Sequence, residues 1–195
     1  MKTAILLLFI VVGTLAGAVQ TPGNAAYVVD KGTGKVWVID LGRRLMDSAI
    51  STGDGAAAMT VLPNNRRGFV VNRDASTVSV IDVVDNEMLA TIALPPGSGP
   101  VDVAASPDGL VVYVANSPAG TVTAIDALTL SVHATIAVGS DPVQVRFGPD
   151  GRYAYVVNRG SGTVSVIDVH REKVAKTLTA GSQPCAIAIV ARRHA

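Results

Sequence analysis

The stretch "VVNRDASTVSVID" (Val70–Asp82) returns 86 residues later as "VVNRGSGTVSVID" (Val156–Asp168), with only three of thirteen positions changed. Two fainter copies share the pattern: "YVVDKGTGKVWVID" from Tyr27 to Asp40 and "YVANSPAGTVTAID" from Tyr113 to Asp126. The aromatic residues Tyr27, Phe69, Tyr113 and Tyr155 stand 42, 44 and 42 residues apart. The closing aspartates Asp40, Asp82, Asp126 and Asp168 keep the same spacing. A period of this length belongs to propeller blades or to helical solenoids, in which each unit buries its apolar face against the next.

Composition separates the two. Each unit carries four short apolar runs divided by Gly, Pro, Asn, Asp and Ser; in the third they are "VVYVAN", "TVTAID", "VHATIAV" and "PVQVRF". Runs so short and so rich in β-branched residues are strands, and none has the length or 3.6-residue period of a helix. Four strands per unit make a propeller blade. The two extra residues of the longer interval fall in "LPPGSGP" (Leu94–Pro100), a lengthened loop.

These units resemble the YVTN-type β-propeller repeat of surface-layer and YncE-like proteins. "YVAN" at Tyr113, "TVSVID" at Thr77 and Thr163, "ATI" at Ala90 and Ala134, and "SPDG" at Ser106 carry the resemblance. In that family the "P…SPDG" strand is innermost (A), followed outward by "YVTN" (B), "TVSVID" (C) and "VATI" (D). The resemblance implies an all-β propeller, here of four blades where seven are common, with strand sets starting near residues 27, 69, 113 and 155. The repeats open on a B strand at Tyr27 and end on an A strand, "PCAIAIVA" (Pro184–Ala191). Pairing those two would close a ring of four and hide both unpaired edges. The other arrangement is an open arc completed as a dimer.

The first residues, "MKTAILLLFIVVGTLAGAVQ", read as a secretory signal: Lys2, the apolar run Ala4–Val12, then Ala16-Gly17-Ala18 as an A-x-A cleavage site. The run before Gly13 falls short of the roughly 20 residues a membrane span needs. Residues 1–18 are therefore expected to be removed, leaving a propeller domain of residues 19–195 in the periplasm or outside the cell, with no membrane span. Without Lys2, 15 basic side chains face 15 acidic ones, which argues against bulk attraction to nucleic acid. The lone Cys185 excludes an internal disulfide, and its place in an apolar run suggests a buried, inert thiol.

The chemistry is sparse. The closing aspartates suit turns, where a carboxylate accepts backbone N–H groups, and one per blade is too dispersed to hold an ion. Asn72, Asn116 and Asn158, with Asp30 at the same station, suit the same structural role. "SPDG" and "GPDG" are turns with Pro second and Gly fourth. His133, His170 and His194 have no ligand partners at metal-binding spacing. No CxxCH is present for haem, and no cofactor or metal is expected.

Two groups of residues point instead to binding. Directly after strand B the blades carry Lys31, Arg73, Ser117 and Arg159, three of them basic. A propeller gathers its B–C and D–A loops on one face, where such charges could focus on an anion. On strand A, where small residues suit the crowded axis, Asp102, Gln144 and Arg146 are polar. Trp37, where other blades carry Ser79, Thr123 and Ser165, suits a core plug or blade-edge contact.

These features predict a non-catalytic exported binding or scaffold protein taking a small anionic ligand or a protein partner on the B–C/D–A loop face. Lys31, Arg73, Arg159, Asp102, Gln144 and Arg146 are the candidate contacts. A lactone-hydrolase or oxidoreductase-associated propeller enzyme, as some relatives are, is the alternative. Nucleic-acid binding ranks third, because few aromatic side chains offer bases a stacking surface. Export has a direct check: mass spectrometry of the exported chain should find an N-terminus at Val19, and a product retaining Met1 would refute processing.

Overall fold

The computed structural model describes residues 24–190, and these form fifteen strands and no helix. The first sheet is three-stranded: β1 (Ala25–Asp30), β2 (Lys35–Asp40) and β3 (Leu45–Ser51). The second is four-stranded: β4 (Ala56–Val61), β5 (Arg67–Asn72), β6 (Thr77–Asp82) and β7 (Glu87–Ala93). The third repeats it with β8 (Pro100–Ala105), β9 (Val111–Asn116), β10 (Thr121–Asp126) and β11 (Ser131–Ala137). The fourth comprises β12 (Pro142–Phe147), β13 (Tyr153–Asn158), β14 (Thr163–Asp168) and β15 (Lys173–Thr179). All neighbours are antiparallel meanders, so β4, β8 and β12 are the expected A strands.

Identical sequence stations make identical local structure. In every blade the C–D pairing slips by one residue, between Val38/Ile39, Val80/Ile81, Ala124/Ile125 and Val166/Ile167. Such bulges increase the local twist of each blade. The asparagines end strand B fully buried, and each Nδ2 donates to two hydroxyls of strand C. Asn72 reaches Thr77 and Ser79, and Asn116 reaches Thr121 and Thr123; Asn158 reaches Thr163 and Ser165. The first blade differs, since Asp30 accepts instead from Thr33 and from the Trp37 indole N–H. Trp37 thus belongs to a B–C turn lock.

The closing aspartates hold the C–D turns, as expected of them. Asp82 Oδ1 accepts from the backbone N–H groups of Val84 and Asp85, and Asp126 Oδ1 from those of Leu128 and Thr129. In the A–B turns the N–H of Gly109 donates to the Ser106 carbonyl, and Gly109 sits at φ 72°, a left-handed conformation that costs a residue without Cβ little.

The core lies between blades rather than within one. Phe69, Val71 and Val80 of the second blade meet Val103, Val112 and Val114 of the third. Tyr113, Ala124 and Ile136 of the third meet Val145, Ala154 and Ile167 of the fourth. Sheets apolar on both faces are stable only when flanked on both faces.

Closure within one chain is not what the described residues show. β1 is hydrogen-bonded to β2 alone, and residues 180–190 form no strand. The first blade therefore has three strands rather than four. Cys185 is exposed, a correction to the buried thiol expected from its apolar run, because among the described residues no further sheet covers the segment. The signal sequence and His194 lie outside the described residues.

The turn aspartates carry a prediction. The Thr129 backbone N–H, then its hydroxyl, hold the Asp126 carboxyl below the usual carboxylate range. A lowered native value makes its contribution full above that range and lost as pH falls through the lowered value. Asp126→Ala should cost about 1 kcal/mol at neutral pH in denaturant melts, with the gap to the parent shrinking in acid.

Candidate functional site

On the loop face the B–C turns lie against the D–A loops, and an acidic residue stands among their basic side chains. The backbone N–H groups of Arg73, Ser117 and Arg159 donate to the carbonyls of Gly55, Gly99 and Asp141, which fixes all three B–C turns against the D–A loops. Arg159 Nε then pairs with Asp141 Oδ2 at 2.7 Å, and the Ser117 hydroxyl donates to Asp141 Oδ1. The Ser117 hydrogen bond first, then Arg159, holds the Asp141 carboxyl below the usual range, and Arg73 adds to the effect. Asp141 therefore ties the third blade to the fourth and neutralises part of the cationic cluster. Sequence reasoning missed it, although it stands where the other blades have Gly55 and Gly99. Lys31 occupies the equivalent turn of the first blade, in the three-stranded sheet.

The inner strands bring together two of their three polar residues. Asp102, on β8, accepts from Arg146 Nη1 of β12 at 2.7 Å and from the Val145 backbone N–H at 2.9 Å, both on Oδ2. Arg146 Nη1 also donates to the Val145 carbonyl. Burial pushes the Asp102 carboxyl above its ordinary range, outweighing the Val145 N–H and the Arg146 charge that favour ionisation. Gln144 does not join them. Its Oε1 accepts the Ile187 N–H at 2.6 Å, the same service one station along the repeat.

Around this pair the axis opens into a groove of about 380 Å³, reached by Thr60, Asp102, Ala104 and Arg146 and bounded by Pro63, Pro107 and Pro149 of the A–B turns. The groove therefore opens on the A–B turn face, opposite the B–C and D–A loops. Among the described residues, Arg146 Nε and Nη2 have no protein partner, and the side chain is partly exposed. A guanidinium held at one nitrogen and open at two others is a preset donor for carboxylate or phosphate oxygens.

His133 Nε2 meets Glu172 Oε1 across the third and fourth blades, a contact with no signal in sequence spacing. Beside it the Tyr113 hydroxyl is buried without a partner, and burial, then Glu172 and Asp168, push its pKa up. Among the described residues no three His, Cys, Asp or Glu side chains gather as a metal site would.

Comparison with known proteins places this geometry. Residues 24–142, more than half of the chain, match the YNCE-like beta-propeller family. The chain belongs to that family. No curated protein matches it. Hydrazine synthase of Kuenenia stuttgartiensis is similar in structure, with a TM-score of 0.75 and 22% identity over 80% of this chain and 46% of that one. A putative 6-phosphogluconolactonase from Bacteroides uniformis gives 0.73 and 17%, over 86% and 58%. The dihydro-heme d1 dehydrogenase NirN gives 0.67 and 19%, over 83% and 36%. This YncE-like propeller spans about half the length of the first two structures and less of the third. The shared fold carries diverse functions, so function must be argued from the site.

The Asp102–Arg146 pair can be tested through stability. Asp102→Ala leaves the Val145 N–H without an acceptor and should cost about 2 kcal/mol, whereas Asp102→Asn keeps an acceptor and should cost less. A carboxyl raised in the native state holds its proton longer there than when unfolded, so its contribution falls as pH rises from the ordinary range to the raised value. Denaturant melts across that window should show the decline in the parent and its absence in Asp102→Asn.

Proposed function

We propose that this chain is a non-catalytic, exported binding propeller that takes a small anionic ligand, or an acidic side chain of a protein partner, in its axial groove. One observation carries the reading: Arg146, the sole cation on the three inner strands, lines a groove of about 380 Å³ with two of its nitrogens free of protein partners among the described residues. The groove is of a size for a small molecule. The loop face suits an anion less, because Asp141 already occupies Arg159 and lies close to Arg73. Export rests on the leader read in residues 1–18.

The enzyme reading has less to build on. General acid–base work needs a side chain free to move a proton. The one carboxylate in the groove, Asp102, is committed to Arg146 and to the Val145 N–H. The similar structures named as enzymes share the fold at identities that leave their chemistry their own.

The test is a calorimetric screen of sugar phosphates, small carboxylates and short oligonucleotides at low and physiological salt. Arg146→Ala should weaken the best anion about tenfold or more, as the loss of charge-assisted hydrogen bonds does. Arg73→Ala combined with Arg159→Ala should leave it nearly unchanged. A loss confined to the double variant would move the site to the loop face, and a preference for oligonucleotides would overturn the small-ligand reading.

A further inference from the structure

The two ends of the blade series expose apolar surface that every internal station buries. Val28 of β1 is 45% exposed, whereas Val70, Val114 and Val156 at the same station are fully buried. At the other end Leu178 of β15 is 39% exposed, while Ile50, Ile92 and Ile136 at its station are nearly inaccessible. Among the described residues, no inner strand pairs with Val28 as one does with its counterparts, and no further blade lies against Leu178.

The segment following β15 already sits where such an inner strand begins. Gln144 receives the Ile187 N–H as Asp102 receives that of Val145, so residues 184–190 continue the blade-to-blade contact of β8 and β12. Ile187 and Ile189 are half-buried while Cys185, Ala186, Ala188 and Val190 face solvent, the alternation of a strand with one side covered. The register of β12 with β13 pairs Gln144 with Val157, Val145 with Val156 and Arg146 with Tyr155. Carried over by the repeat, Ala186 would face Val29, Ile187 would face Val28 and Ala188 would face Tyr27. The apolar side chains meet in that register, and unpaired backbone groups on both strands gain partners.

Among the described residues of one chain these edges are not paired, and the four blades superpose on about half the length of larger propeller chains. We propose that a second copy of this chain docks head to tail. Residues 184–190 of one copy add to β1 of the other as its missing inner strand, and the β1–β3 sheet covers the Leu178 face. The contact is heterologous, and two copies close it into a ring by using it twice. It repeats the interface already present between consecutive blades, so it requires no new chemistry.

The test uses the isolated full-length protein in solution. Light scattering should give twice the monomer mass or a higher multiple, and Val28→Lys should reduce it to the monomer while the β-sheet circular dichroism is retained. In a Cys185→Ser background, mixing an Ala186→Cys chain with a Val29→Cys chain should yield a covalent heterodimer on oxidation. A monomeric mass for the parent at all concentrations would overturn the proposal. So would a chain carrying both cysteines that cross-links only to itself.

Discussion

A blade of this protein is a small sheet with two apolar faces, and no such sheet can stand in water with either face bare. Phe69 and Val71, or Tyr113 and Ala124, are fully buried only because the next blade lies against them. Everything else follows from that requirement. The strands can be six or seven residues long, the turns can be tight, and no disulfide is needed, because each unit is stabilised by its neighbours rather than by an interior of its own. The same requirement makes the ends of the series the least satisfied part of the molecule. Val28 and Leu178 show this directly.

Polar residues on the inner strands answer a second demand of the same packing. Adjacent inner strands converge on the axis without forming a ladder, which leaves the backbone N–H of one strand facing the side chains of the last. Asp102 and Gln144 supply acceptors for Val145 and Ile187, while Ala58 at their station in the second blade has none to offer. The blades are thus joined by apolar contact and, at these inner-strand stations, by directed hydrogen bonds where the sequence departs from small residues. Asp141 does similar work on the opposite face, through Ser117 of one blade and Arg159 of the next.

Much of this was legible in the sequence, and the reason is locality. Strand limits, turn types and the aspartate locks depend on residues within a few positions of one another, and the period repeats the evidence four times. Asp102 and Arg146 stood out too, since both break a pattern of small residues. Asp141 did not, because its partners Ser117 and Arg159 lie 24 and 18 residues away, beyond what local spacing relates. The exposure of Cys185 was hidden for a different reason. Whether "PCAIAIVA" is covered depends on a blade beyond it, and local alternation is the same with or without that blade.

Repetition also separates structural duty from everything else. A residue that recurs at one station is explained by the blade: Asp82, Asp126, Asn116 and Asn158 each satisfy named backbone or hydroxyl groups. A departure from the repeat needs its own account, and most departures here have one. Trp37 answers Asp30, Gln144 answers Ile187, and Asp102 answers Val145. Arg146 is different, because Asp102 would accept from Val145 without it and its own nitrogens are only partly used. Holding a guanidinium on an axial strand costs desolvation that Ala188 or Thr60 at the same station avoids. Arg146 is therefore the inner-strand residue that blade packing accounts for only in part, through Asp102 and the Val145 carbonyl, and it lines an open groove.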